Sequence, residues 1–402
     1  MTSGFKREDF PMLRKKVRDK PLVYLDSAAT ALKPSCVIDA MTEFYQSGYA
    51  TVHRAAYEIS LESTNRYNQV REKVRSFIHA ESTDEIIFTR GTTEGINLIA
   101  QCYPIKAGDE IIISGQEHHS NIVPWQLLCE RSGAHLKVIP LMEDGQIDLE
   151  QFEQLLSPRT RLVSVAHVSN VIGIVNPVEK IIAAAHGIGA HVVLDAAQSA
   201  VHLPIDVQAL KCDFLVFSSH KLYGPTGVGV LYGKKELLQK MPPYQGGGDM
   251  IQKVTFEKTT YQEPPLRFEA GTPMIAEVIG LGAALDYICS YSREAILKYE
   301  HDLIELALKH LPPEAQILGP HEKRTSLITL QVPGVHPLDL ATLLDLQGIA
   351  VRSGHLCAQP LLRHFGLTSA LRISIAPYNT AEEILFLCAQ LKAVIPKIKK
   401  PG

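Results

Sequence analysis

No run in this sequence approaches the roughly 18 consecutive apolar residues that a membrane-spanning helix needs. Residues Met1 to Met12 carry charge and lack the apolar core of a secretory signal. Nor does charge of one sign accumulate: 40 basic and 43 acidic residues leave a net charge of -3, with no long block of either. That excludes an extended nucleic-acid surface, and Lys397-Ile398-Lys399-Lys400 reads as a solvated tail. Cysteine is sparse, seven in 402 residues, and no Cys-x-x-Cys pair occurs, which speaks against a disulfide framework or a zinc site. Internal repeats and low-complexity segments are missing as well. The expectation is a soluble cytoplasmic protein with no membrane, nucleic-acid or metal partner.

What is present is an ordinary globular balance, 46% hydrophobic and 21% charged, enough for one large domain and a smaller one. From about residue 85, β-branched runs alternate with helical patterns. Glu85–Thr89, Glu110–Ser114, Arg161–Ala166, Val192–Leu194 and Phe214–Phe217 read as buried strands; Thr93–Cys102, Val123–Arg131 and Val178–Ile188 read as helices. The alternation predicts an α/β fold with a mostly parallel sheet covered on both faces, and ligands gathered at the carboxyl ends of its strands. After Gly246-Gly247-Gly248 and Pro264-Pro265 the pattern changes. One long helical stretch, about Ala276 to Leu311, leads into strand Ser326–Val332, helix Pro337–Leu346, strands Ala350–Arg352 and Leu371–Ala376, and helix Glu382–Val394. This predicts a smaller α+β domain.

Polar residues cluster where strands end. Lys221 follows the run ending at Phe217, and Asp195 ends His191-Val192-Val193-Leu194-Asp195. A buried carboxylate is costly without a cationic partner. Pyridoxal phosphate (PLP) asks for this pair: an amine to hold its aldehyde carbon, and a carboxylate to keep its ring nitrogen protonated. Asp195 also reads as a helix N-cap, and Gln198 could donate to the ring's phenolic oxygen. Arg90-Gly91-Thr92-Thr93-Glu94 opens a helix with hydroxyls, a site for phosphate or a plain N-cap; Ser218 and His220 offer further phosphate donors. Of His118-His119, one imidazole could lie flat on a cofactor ring; metal binding by adjacent histidines is poor because their side chains point apart. Gly224 to Gly229 lacks the Lys-Ser/Thr of a P-loop and reads as a tight turn between strands. Cys357 sits in a glycine-containing loop with Arg352 and His355, which favour a thiolate, whereas the other cysteines look like core hydrophobes. Arg372, alternating with apolar residues, reads as a carboxylate clamp or a structural ion pair.

Together these segments resemble the fold-type I PLP enzymes, and specifically the SufS-type cysteine desulfurases of the class V aminotransferase family. Leu25-Asp26-Ser27-Ala28-Ala29-Thr30, Val52-His53-Arg54, His167-Val168-Ser169-Asn170, Phe268-Glu269-Ala270-Gly271-Thr272-Pro273 and Tyr378-Asn379-Thr380 extend the likeness over nearly the whole chain. The resemblance implies a large PLP-binding domain over 16–284 and a small domain from 1–15 and 285–402. It implies Lys221 as the PLP-bound lysine, His118 stacked on the ring, and Asp195 and Gln198 as ring partners. Thr93, Ser218 and His220 would hold the phosphate, with Thr272 from the neighbouring subunit of a homodimer. Arg372, Asn170, Arg352 and His53 would hold the substrate, and Cys357 would accept sulfur. The implied activity converts L-cysteine to L-alanine, passing sulfur to a SufE- or SufU-like carrier for iron–sulfur cluster assembly. A selenocysteine lyase of the same fold, and a scaffold that has lost the chemistry, are the alternatives. Ser219, Ala55, Tyr57 and Leu356 depart from the family pattern, which more often has Gly, Gly, His and His there.

Overall fold

The structure, a computed structural model, describes residues 5–53, 55–322 and 324–399; Met1, Arg54 and Lys400, named above, lie outside the described residues. Seven strands build the central sheet: β1 (Ile86–Thr89), β2 (Glu110–Ser114), β3 (His135–Ile139), β4 (Thr160–Ala166), β5 (His191–Asp195), β6 (Phe214–Ser218) and β7 (Gly229–Gly233). Their order is β1-β7-β6-β5-β4-β2-β3. Only β7 runs against the rest, antiparallel to both β1 and β6. This is the α/β, mostly parallel architecture expected.

Strands β1, β2, β6 and β7 are buried at every position, because helices cover both faces. Alternate side chains serve opposite cores. Ile112, Val163, Val165, Leu194 and Phe217 join one apolar cluster; Ile111, Ile113, Leu162, Val193 and Val216 join another. Gly227 (φ 81°) makes the expected turn, but Gly229 already belongs to β7. A Cβ there would stand 2.5 Å from Gly91 Cα and 2.7 Å from Phe217 O. Only glycine lets β7 pass the loop after β1.

The helical stretch expected from Ala276 to Leu311 is two helices, Ile275–Cys289 and Arg293–His310. The break comes at Ser292, whose hydroxyl accepts from Ala295 N–H and starts the second helix as its cap. A second, antiparallel sheet follows in the order Gln316–Ile317, Leu327–Gln331, Ala370–Ser374, Arg352–Gly354. The strand expected at Ala350–Arg352 is split. Ile349–Ala350 pairs in parallel with Val23–Tyr24, and Arg352–Gly354 pairs with Ala370–Ser374. Leu303, Leu330, Leu371, Ile384 and Leu391 form a separate core here, which Val23 and Leu25 also enter. No helix among the described residues is long and apolar enough to cross a membrane.

Candidate active site

The carboxyl ends of β1, β2, β4, β5 and β6 open onto one cavity of about 210 Å³, closed on its far side by the small sheet. Of the site residues expected from sequence, all but His53 and Thr272 line it. His53 lies apart: its N–H donates to Thr64 Oγ1 at 2.9 Å and its ring meets Tyr67 edge-on. Thr272 lines a different cavity, beside Arg90, Glu94 and Tyr244.

Asp195 is the last residue of β5, 6% exposed, and its Oδ1 accepts from Ala197 N–H at 2.9 Å. Burial raises its pKa, while that hydrogen bond and the Lys221 charge oppose the rise. Lys221 comes from the next strand over, in the short turn Ser219–Lys221 after β6. Enclosure brings its amine down to about 8, with Asp195 pulling the other way. Gln198 is buried; its Nε2 donates to Ala28 O at 2.9 Å, and its Oε1 has no partner among the described residues. His118 caps the turn after β2, its Nδ1 accepting from Ser120 N–H. Burial first, and then the Lys221 charge, push it down to about 3, so the imidazole is neutral.

At one end of the cavity hydroxyls surround a helix start. The helix Thr92–Cys102 is led by Gly91, which offers no side-chain cap. Thr92 N–H donates to Ser218 Oγ at 2.8 Å, Thr92 Oγ1 meets the same Oγ at 2.8 Å, and Thr93 Oγ1 meets Ser120 Oγ at 2.8 Å. His220 stands beside them, its pKa lowered to about 4 by burial and by the charges of Lys221 and Lys33. Thr92 and Ser120 were not among the expected ligands; Ser120 follows the two histidines in sequence, and only folding shows that it faces Thr93.

Cations gather at the opposite end. Arg372 is 3% exposed on its strand; Nη1 donates to Asn170 O at 2.9 Å, Nη2 to Asp26 Oδ1 at 3.3 Å, and Nε has no partner among the described residues. Arg352 reaches the other oxygen of Asp26 at 3.8 Å. Asp26, missed in the sequence, therefore bridges two guanidinium groups. The Asn170 amide donates to Leu356 O at 2.8 Å, which ties it to the cysteine loop.

Cys357 is half-buried in that loop, with φ 55° after φ 53° at Leu356. Leu356 packs among Val171, Ile172 and Leu361, so its departure from histidine serves a local core. Cys357 N–H donates to His355 Nδ1 at 3.0 Å, and Cys357 O accepts from His119 N–H at 2.7 Å. Ser219, the other departure at the site, is buried and fills the space where a Cβ on Gly224 would fall.

The aminotransferase class-V family profile matches residues 23–387. The chain belongs to that family. A cysteine desulfurase of Enterobacter sp. (strain 638) is 51% identical over 394 residues, covering 96% of this chain and 97% of that protein. The crystal structure of a cysteine desulfurase from Escherichia coli superposes with a TM-score of 0.91 at 42% identity, covering 98% of each chain. A cysteine desulfurase from Thermococcus onnurineus NA1, solved in the apo form, gives 0.92 at 38% identity over 96% of this chain and 97% of that one. The architecture is thus the fold-type I one of the class-V PLP-dependent transferases.

Proposed function

We propose that this chain is a PLP-dependent cysteine desulfurase. It takes L-cysteine, releases L-alanine and leaves the sulfur on Cys357 as a persulfide, for a SufE- or SufU-like carrier that serves iron–sulfur cluster assembly. The observation that carries the reading is the meeting of Lys221, Asp195, Arg372 and Cys357 around one small cavity, in a chain half identical to a cysteine desulfurase.

The residues fit PLP. An enclosed amine, a buried carboxylate with no guanidinium or ammonium hydrogen bond among the described residues, and the buried Gln198 amide, whose Nε2 has a second N–H beyond the one given to Ala28 O, match an aldehyde, a pyridinium and a phenolic oxygen. Lys221 would hold the aldehyde carbon, Asp195 and Gln198 the ring, and neutral His118 its face. Thr93, Ser218 and His220 would hold the phosphate, joined by Thr272 of the partner subunit in a homodimer. Bound PLP supplies an electron sink for the charge left at the substrate Cα when its proton is removed.

Arg372, with Arg352 and Asn170 beside it, would hold the substrate carboxylate; His53, expected to join them, does not line this cavity. Lys221, with a pKa near working pH, is suited to take the Cα proton and return it. Sulfur transfer then balances at Cys357. Its thiolate forms an S–S bond to the substrate sulfur as the Cβ–S bond breaks, and Cβ takes a proton to become the methyl of alanine. Holding sulfur on the protein separates its extraction from its delivery. The division into 16–284, and 1–15 with 285–402, belongs to this proposal; the separate core around the small sheet supports a second domain but not these N-terminal bounds, since Val23 and Leu25 enter that core and Phe10 and Leu13 the large one. A cytoplasmic location is proposed with it.

The test is incubation of the purified, yellow protein with L-cysteine, following alanine, sulfide and persulfide. Cys357→Ser should stay yellow and lose persulfide, and Lys221→Ala should lose its colour. No alanine from the wild type, or persulfide still formed by Cys357→Ser, overturns the reading.

A further inference from the structure

His119, His355 and Cys357 each bring one ligand atom to within 4.8 Å of the other two. The grouping is built rather than incidental. His119 N–H donates to Cys357 O at 2.7 Å, and Gln359 N–H donates back to His119 Nε2 at 3.2 Å, so the loop after β2 clamps the cysteine loop on both sides of the thiol. The rings of His119 and His355 stand 5.4 Å apart at 34°. His355 is exposed, while His119 and Cys357 are partly so, which leaves the group open to solvent.

One thiolate and two imidazoles form a borderline-soft donor set, suited to zinc; the group holds no carboxylate for a hard cation such as magnesium or calcium. Tetrahedral zinc bonds place neighbouring N and S ligands roughly 3.3–3.7 Å apart, so the cluster needs to close by about an ångström. Adjacent histidines make a poor metal pair, and only one of His118-His119 takes part here. Its partners come from a loop more than two hundred residues away, which no local spacing reveals.

We propose that His119, His355 and Cys357 form a site for a thiophilic divalent cation, zinc being the best match, which reversibly arrests the nucleophile. Binding forms one Sγ–zinc and two nitrogen–zinc bonds, releases the thiol proton to solvent and transfers no electron. Each ring gives zinc its single lone pair, so the N–H that now bonds to it, Gln359 N–H at His119 Nε2 and Cys357 N–H at His355 Nδ1, is displaced or the ring changes tautomer. Three protein ligands leave the fourth position to water. The arrest, though not the binding, rests on Cys357 being the sulfur acceptor.

The test uses PLP-loaded protein stripped of metal, titrated with zinc against a chromophoric chelator. The wild type should take up one zinc per chain; Cys357→Ser, His355→Ala and His119→Ala should each weaken uptake at least about tenfold. Cobalt should give a thiolate charge-transfer band in the wild type and none in Cys357→Ser. Unchanged uptake in Cys357→Ser, as it would be if the exposed Cys36 or Cys289 held the metal, overturns the site, as does wild-type protein that takes up no zinc. A metal-free chain that forms alanine but binds no zinc refutes this site alone. One that binds zinc through Cys357 but forms no alanine refutes the desulfurase reading and leaves the site standing.

Discussion

Glu117 gives the most direct check on the electrostatics around the cavity. It is 1% exposed in the turn after β2, directly before His118. Burial drives its carboxyl up to about 7, while donors pull it down: the Ser114 hydroxyl, Asn121 Nδ2 at 2.6 Å and Ala166 N–H at 3.0 Å. Asp195 adds a further upward push. The unfolded chain releases this proton near the ordinary 4.5 and the folded chain only near 7. Between those values the folded state binds more protons, so the group's stabilisation, whole at low pH, is lost as pH rises towards 7. At about 1.4 kcal/mol per pH unit, that loss is about 3 kcal/mol. Glu117→Gln removes the titration. Its amide oxygen can still accept from Ser114 and Ala166, but its NH₂ then faces the NH₂ of Asn121, a fixed cost of about 1–3 kcal/mol. Urea unfolding of both proteins should show the wild type's advantage shrinking by about 2.5 kcal/mol between about pH 5 and about pH 8, the remainder of the loss falling below about pH 5. An advantage that stays constant over that range would mean the three donors keep the carboxylate ionised throughout, and the burial argument fails.

Three further outcomes follow from single contacts. Gly229→Ala drives a Cβ against the backbone of Gly91 and Phe217, where no side chain can yield, and should cost about 1–3 kcal/mol in unfolding experiments. Because Gly91 leads the Thr92–Cys102 helix, the same variant should release PLP more readily; wild-type stability and PLP retention refute this. Arg71 and Glu269 form a buried two-bonded pair at 2.8 Å each, and Arg71→Leu strands the carboxylate at a cost of about 3–5 kcal/mol. Arg71→Leu with Glu269→Leu should recover part of that loss, and a single variant losing under about 1 kcal/mol contradicts the pairing. Arg372→Lys keeps the charge but loses the fork that spans Asn170 and Asp26. It should raise KM for L-cysteine roughly 10- to 100-fold with the yellow colour intact, the worth of one charged hydrogen bond; an unchanged KM removes Arg372 from the substrate clamp.

Which parts were legible in sequence follows from what each residue contacts. Strands β1, β2, β4, β5 and β6 are buried on both faces and read as continuous apolar runs, so their ends, and the side chains delivered there, were visible. Strand β3 was not. It lies at the sheet edge, and His-Leu-Lys-Val-Ile carries its polar residues because part of it faces solvent. The break before Arg293 was hidden because a serine cap, not glycine or proline, makes it. Asp26 and His119 escaped for another reason. Asp26 meets Arg372 across 346 residues and His119 meets Gln359 across 240, and no local pattern encodes either encounter. Lys221 and Asp195 lie between these cases. Each was legible as a strand-end residue, but their meeting depends on β5 and β6 being parallel neighbours. Neighbouring strands lie about 4.8 Å apart. An amine and a carboxylate leaving the same end of such a pair therefore enter the same cavity, where one ligand can span both. Had β7 come between β5 and β6, the same motifs would stand on the page and the two groups would face different pockets.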